Sequence, residues 1–102
     1  MPLTIELQDE LGGRRAGVDD TQNALGSLLP RMSGDAYPML ESIDPYGNTT
    51  FNRIQMPRFL REWAAMSQKA ETVNERQLLS EIELLAQQCQ DDVHLYLKFI
   101  GD

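Results

Sequence analysis

The chain has few of the residues on which covalent and metal chemistry depends. Its 102 residues include one cysteine, Cys89, and one histidine, His94. A disulfide within the chain is therefore excluded, which suits a reducing compartment. A transition-metal site needs several such ligands together, so we expect no metal site and no cofactor. The sequence also has no glycine-rich phosphate loop, dinucleotide fingerprint or nucleophile elbow.

Long apolar runs and an excess of positive charge are missing as well. No stretch approaches the ~18 apolar residues of a membrane span, and no signal peptide is visible. The 16 acidic and 9 basic residues give a net charge of −7, which argues against nucleic-acid binding because phosphates require a basic surface. We therefore expect a cytoplasmic protein without a membrane or nucleic-acid partner. Its length and ordinary hydrophobic content of 41% predict that residues 1–102 form a single domain.

The two ends of the chain carry the signals that decide the fold class. Residues 3–7 alternate apolar and polar side chains, which is the period of a half-buried strand. Residues 93–100 fit either a continuation of the preceding helix or a strand that would pair with residues 3–7. We predict an α+β fold, a small helical domain with a short antiparallel strand pair from the two termini. An all-α bundle is the alternative.

Two helices are predicted between these strands. Residues 51–70 place Phe59, Trp63 and Met66 on one face, and Pro57 predicts a kink or a restart near Met56. Residues 75–91 form a second helix, with Thr72 or Asn74 as its N-cap. Its predicted buried stripe consists of Leu78, Ile82, Leu85 and Cys89.

The remaining segments have weaker local signals. Residues 12–34 hold five of the seven glycines and predict a loop-rich stretch with a short helical turn at 20–29. Asp35 is a candidate cap for a short helix over residues 36–43. Residues 44–48 predict a turn, and Thr49 or Thr50 is a candidate cap for the helix that follows.

The densest polar cluster lies in residues 44–61, and three arginines without an acid occupy residues 53–61. Such a cluster can bind an acidic partner or a phosphate, because arginine forms paired hydrogen bonds with both. The same residues also fit a turn followed by a capped helix whose arginines pair with surrounding acids. The predicted binding surface consists of Asp44, Tyr46, Asn48, Asn52, Arg53, Gln55, Arg58 and Arg61.

The acidic residues near the second helix offer another candidate surface. They suit a basic protein partner, since complementary charge speeds association, and they also fit an ordinary solvated helix face. Cys89 lies on the apolar stripe and is interpreted as a buried core residue. The acids in question are Glu75, Glu81, Glu83, Asp91 and Asp92.

Two segments together resemble a set of small uncharacterised bacterial proteins. They are residues 43–55, IDPYGNTTFNRIQ, and the ending at residues 96–102, YLKFIGD, about a fifth of the chain. The resemblance implies a bacterial cytoplasmic origin. It implies no activity and no site residues.

These observations favour a non-enzymatic, acidic protein–protein interaction module, with an immunity-like or adaptor role in a bacterial cytoplasm. The alternative is a small enzyme, or a subunit of one, that binds an anionic small molecule within residues 44–61. A homodimer with a structural role is a third hypothesis.

Overall fold

The computed structural model describes residues 3–30 and 36–101, which fold into an antiparallel sheet covered on one face by helices. The α+β prediction is confirmed at this level, and the all-α alternative is wrong. In chain order the elements are β1 (Thr4–Gln8), β2 (Arg14–Asp19), α1 (Leu25–Leu28), α2 (Pro38–Glu41), β3 (Asn48–Phe51), a 3₁₀ turn (Arg53–Gln55), α3 (Met56–Ser67), α4 (Val73–Asp91) and β4 (Tyr96–Ile100).

The predicted pairing of the two chain ends forms the centre of the sheet. β1 and β4 run antiparallel, with Thr4 opposite Ile100 and Gln8 opposite Tyr96. Residues 96–100 are therefore a strand and not a continuation of α4. The sheet is larger than predicted, because β2 and β3 flank this pair in the order β2-β1-β4-β3.

Strand β2 lies in the glycine-rich stretch for which the sequence predicted a loop with a helical turn. The turn between β1 and β2 is held by Asp9, whose Oδ1 accepts the backbone N–H groups of Leu11 and Gly13. Gly12 adopts a φ of 84° there, a conformation that side chains disfavour. The loop prediction failed because this turn brings a charged, glycine-containing segment against β1. The helical turn appears only as the four-residue α1.

Strand β3 also replaces a predicted feature, because Thr49 and Thr50 lie in the strand and do not cap a helix. The cap is Asn52, whose side chain accepts the Gln55 N–H while the Gln55 side chain accepts the Asn52 N–H. The predicted restart near Met56 is confirmed. Pro57 is accommodated in the first turn of α3, where its missing N–H costs no hydrogen bond.

The core lies between one sheet face and helices α3 and α4. Phe59 and Trp63 stack with their ring centroids 5.3 Å apart, and Phe99 approaches both rings from β4. Trp63 also donates from Nε1 to the carbonyl oxygen of Leu79 at 3.0 Å. On α4 the buried residues are Leu79, Ile82, Leu85, Ala86 and Cys89, so the predicted stripe is confirmed except that Leu78 is only half-buried.

The N-caps of α4 and α2 differ in how well the sequence predicted them. Of the two predicted N-caps of α4, Thr72 is the observed one and Asn74 lies inside the helix; Glu75 completes a reciprocal capping pair with Thr72. Helix α2 is shorter than the predicted 36–43, and its candidate cap Asp35 lies outside the described residues.

Candidate functional site

The eight residues of the predicted binding surface fall into different local structures. Asp44 and Tyr46 form a turn in which Asp44 Oδ1 accepts the Tyr46 N–H at 2.9 Å. Asn48 begins β3 and pairs with Ile100. Asn52 and Gln55 satisfy each other as the cap described above. The polar atoms of Asp44, Asn52 and Gln55 therefore already serve the fold.

Two of the predicted arginines share one cavity. Arg58 and Arg61 lie one turn apart on α3 and face a cavity of about 270 Å³ against Tyr37, at the start of α2. None of the other six predicted residues lines it. We call this the α2–α3 cavity; its described lining is Ala36, Tyr37, Arg58, Arg61, Glu62 and Ala65.

Glu62 organises this cavity. Its side chain is 6% exposed, and its Oε1 accepts the backbone N–H groups of Met39 at 2.9 Å and Leu40 at 3.1 Å. The carboxylate thereby fixes α2 against α3. Its Oε2 lies 3.4 Å from Nε of Arg58, an ion pair at i,i+4 spacing, and has no hydrogen-bond partner among the described residues.

Positive charge gathers around the α2–α3 cavity. Within the described part of the chain Arg61 forms no ion pair, and Arg58 is paired only with Glu62. Lys69 lies over the Tyr37 ring, with Nζ 5.3 Å from the ring centroid. The described lining together with Lys69 carries three cations and one carboxylate, a local excess of positive charge on a protein whose net charge is −7.

Sequence reasoning found Arg58 and Arg61 but missed Tyr37 and Glu62. The i,i+4 spacing of Arg58 and Glu62 was an available signal. The approach of Tyr37 was not, because it depends on the tertiary contact between α2 and α3.

A second depression, also of about 270 Å³, lies between β2, α1 and α4. Asp19 and Glu81 line it, and neither has a cationic partner among the described residues. Asp20 lies in the same wall, but its carboxylate oxygens already accept hydrogen bonds from the backbone N–H groups of Ala24 and Leu25, each at 2.8 Å. We call this the acidic recess; it is lined by Asp19, Asp20, Thr21, Gln22, Ala24, Asn74, Gln77, Leu78 and Glu81.

The candidate acids of α4 differ in availability. The backbone N–H groups of Glu71 and Thr72 lower the pKa of Glu75, whose carboxylate serves the cap. Asp92 accepts the His94 N–H at 2.9 Å. Glu81 receives only a long contact of 3.4 Å from the Gln77 amide. Of these, Glu81 is the acid that combines exposure with a concave surface.

The two residues best suited to nucleophilic chemistry, Cys89 and His94, differ in exposure. Cys89 is buried, and burial raises the pKa of its thiol to about 11, so it is almost entirely protonated at neutral pH. His94 is exposed, with Nδ1 2.8 Å from Oε1 of Glu10. Within residues 3–30 and 36–101, no three His, Cys, Asp or Glu side chains are arranged to hold a metal ion.

No family model, curated protein or solved structure matches the chain. In residues 3–30 and 36–101, none of the helices combines the length and the apolar content needed to cross a membrane.

Proposed function

We propose that this protein is a non-enzymatic interaction module that binds a basic surface of a protein partner at the acidic recess. The observation that carries the proposal is the placement of Asp19 and Glu81 in one concave surface, where the described residues provide no cation to pair with either. An arginine or lysine of a partner entering the recess would supply the missing charge.

Electrostatics across the molecule supports the same partner chemistry. The net charge of −7 attracts a basic protein during diffusion, and charge complementarity raises association rates more than it raises affinity. Asn74 and Gln77 add neutral polar groups to the wall of the recess. This arrangement suits an immunity-like or adaptor role in which an acidic protein masks a basic one.

The test is affinity capture from the cytoplasm of the native organism with three single variants. Asp19→Lys and Glu81→Lys reverse one charge each inside the recess. Glu10→Lys makes the same charge change in the exposed turn between β1 and β2, and is the matched control. We expect the wild type and Glu10→Lys to retain the same basic protein and both recess variants to lose it.

The retained protein would then be purified, and its affinity for each variant measured. Each recess charge reversal should weaken binding by about tenfold or more, in the range seen for close charge pairs at interfaces. Equal retention by all four proteins, or capture of partners that are not basic, would refute the proposal.

A further inference from the structure

We infer that the α2–α3 cavity binds the phosphate group of a small hydroxylated phosphate monoester. The inference is independent of the acidic recess and concerns a different surface. It rests on the two arginines that share the cavity and on the buried Oε2 of Glu62 beside it, which is ion-paired with Arg58 but accepts no hydrogen bond from the described residues.

The arginines provide the anion-binding part. Arg58 directs Nε toward Glu62, which leaves the two terminal nitrogens of its guanidinium for a ligand. Arg61, one turn further along α3, lines the same cavity. Guanidinium groups match the geometry of phosphate oxygens and form charge-assisted hydrogen bonds with them.

Local charge favours a dianion over a monoanion. The described lining together with Lys69 carries three positive charges, on Arg58, Arg61 and Lys69, against one negative charge on Glu62. Acids more than about 8 Å from the cavity oppose an anion only weakly, because screening at physiological salt acts over that distance and the molecule extends 34 × 28 × 24 Å.

Glu62 supplies the second element of recognition. Nearly all buried polar atoms in proteins have a hydrogen-bond partner, whereas Oε2 has only its ion pair with Arg58 at 3.4 Å among the described residues. Oε2 can therefore accept a hydrogen bond from a ligand donor. A ligand hydroxyl group is such a donor. The Arg58 side chain is 54% exposed, so packing leaves its guanidinium free to shift from Oε2 and admit the hydroxyl while its terminal nitrogens stay at the cavity.

The size of the cavity limits the rest of the ligand. Drug-sized ligands occupy clefts of about 300–1,000 Å³, so 270 Å³ admits only a short organic group beyond the phosphate. Ala36 and Ala65 keep the walls close to the backbone, and the Tyr37 phenol adds a polar group. A phosphorylated three-carbon or four-carbon polyol has the matching chemistry.

The experiment measures the affinity of the full chain for three ligands by isothermal titration calorimetry at constant ionic strength. Glycerol 3-phosphate carries both recognition elements, methyl phosphate lacks the hydroxyl groups, and inorganic phosphate lacks the organic part. We expect glycerol 3-phosphate to bind most tightly, at least about fivefold more tightly than methyl phosphate. Equal or tighter binding of methyl phosphate or inorganic phosphate would overturn the assignment of a hydroxylated ligand.

Two arginine variants locate the binding. Arg61→Gln should weaken glycerol 3-phosphate binding by about tenfold, while Arg76→Gln on α4, an equal charge change outside the cavity, should leave it unchanged. Circular dichroism of both variants verifies that they fold. The cavity assignment would be overturned if Arg76→Gln weakened binding as much as Arg61→Gln. The same conclusion would follow if Arg53→Gln, also outside the cavity, weakened binding as much as Arg61→Gln, or if no binding occurred at millimolar ligand.

Discussion

Replacement of Gly101 by alanine tests how the end of the chain closes the sheet. Gly101 donates its N–H to the Gly47 carbonyl oxygen at 2.7 Å, next to the pair of Asn48 and Ile100. A Cβ at position 101 would lie 2.6 Å from the carbonyl carbon of Pro45 and 2.9 Å from the Gly47 oxygen. These are backbone atoms, so no side-chain rotation can relieve the overlap.

The expected cost follows from two effects. Forcing an extra carbon into a tight contact destabilises proteins by about 1–3 kcal/mol, and distortion of the Gly101 hydrogen bond adds about 1 kcal/mol. We therefore expect Gly101→Ala to lower the free energy of unfolding by about 3 kcal/mol. For a domain of this size the melting temperature would fall by about 12–24 °C.

Urea unfolding measures this effect, because the single tryptophan, Trp63, is fully buried and reports on the core by fluorescence. Gly26→Ala is the matched control. Its added Cβ would meet the Asn23 side chain at 3.0 Å, a tight contact that this exposed side chain can relieve by shifting a few tenths of an ångström, and alanine is the better helix former in α1. A free energy of unfolding for Gly101→Ala within about 0.5 kcal/mol of the wild type would refute the reasoning.

The other predictions concern the α4 cap and the cysteine. Thr72→Ala should lower the free energy of unfolding by about 1 kcal/mol, measured by urea denaturation, because it removes the N-cap acceptor for the Glu75 N–H. The folded-state pKa of Glu75 is lowered, so its stabilisation is present above the unfolded pKa and is lost as pH falls through the folded pKa. Glu75→Gln should therefore lose less stability than the wild type between about pH 6 and about pH 3. With a pKa of about 11, only about one Cys89 thiol in a thousand is ionised at pH 8. Labelling of Cys89 by a thiol reagent should therefore be slow until urea unfolds the chain. Rapid labelling of the native protein would contradict the burial of Cys89.

The sequence predicted those elements whose periodic pattern of apolar side chains lies within the element itself. β1 and β4 alternate apolar and polar side chains along their length, and the buried stripes of α3 and α4 recur at helical spacing. Each pattern reflects one face turned toward a common core, so it is readable before the partner is known. Thr72 was predictable for the same reason, because its capping partner is three residues away.

The edge strands were not predictable in this way. β3 contains Asn48, Thr49 and Thr50 before its single buried residue, Phe51, and its residues gain strand structure by pairing with β4. β2 has only two apolar residues, Ala16 and Val18, both half-buried, and its register against β1 shifts between Leu7 and Gln8. In both strands the pairing partner supplies information that the local sequence lacks.

The same difference, between elements with their own periodic pattern and segments positioned by tertiary contacts, explains why the sequence predicted only part of each candidate site. A long helix contributes one half, Glu81 from α4 or Arg58 and Arg61 from α3, and spacing along a helix is readable from sequence. A short element contributes the other half, because Asp19 ends the edge strand β2 and Tyr37 precedes α2. Beside each of these residues a buried carboxylate accepts two backbone N–H groups, Asp20 from the start of α1 and Glu62 from α2. The carboxylate of Glu62 reaches across more than twenty positions in the chain, and no local period encodes that contact.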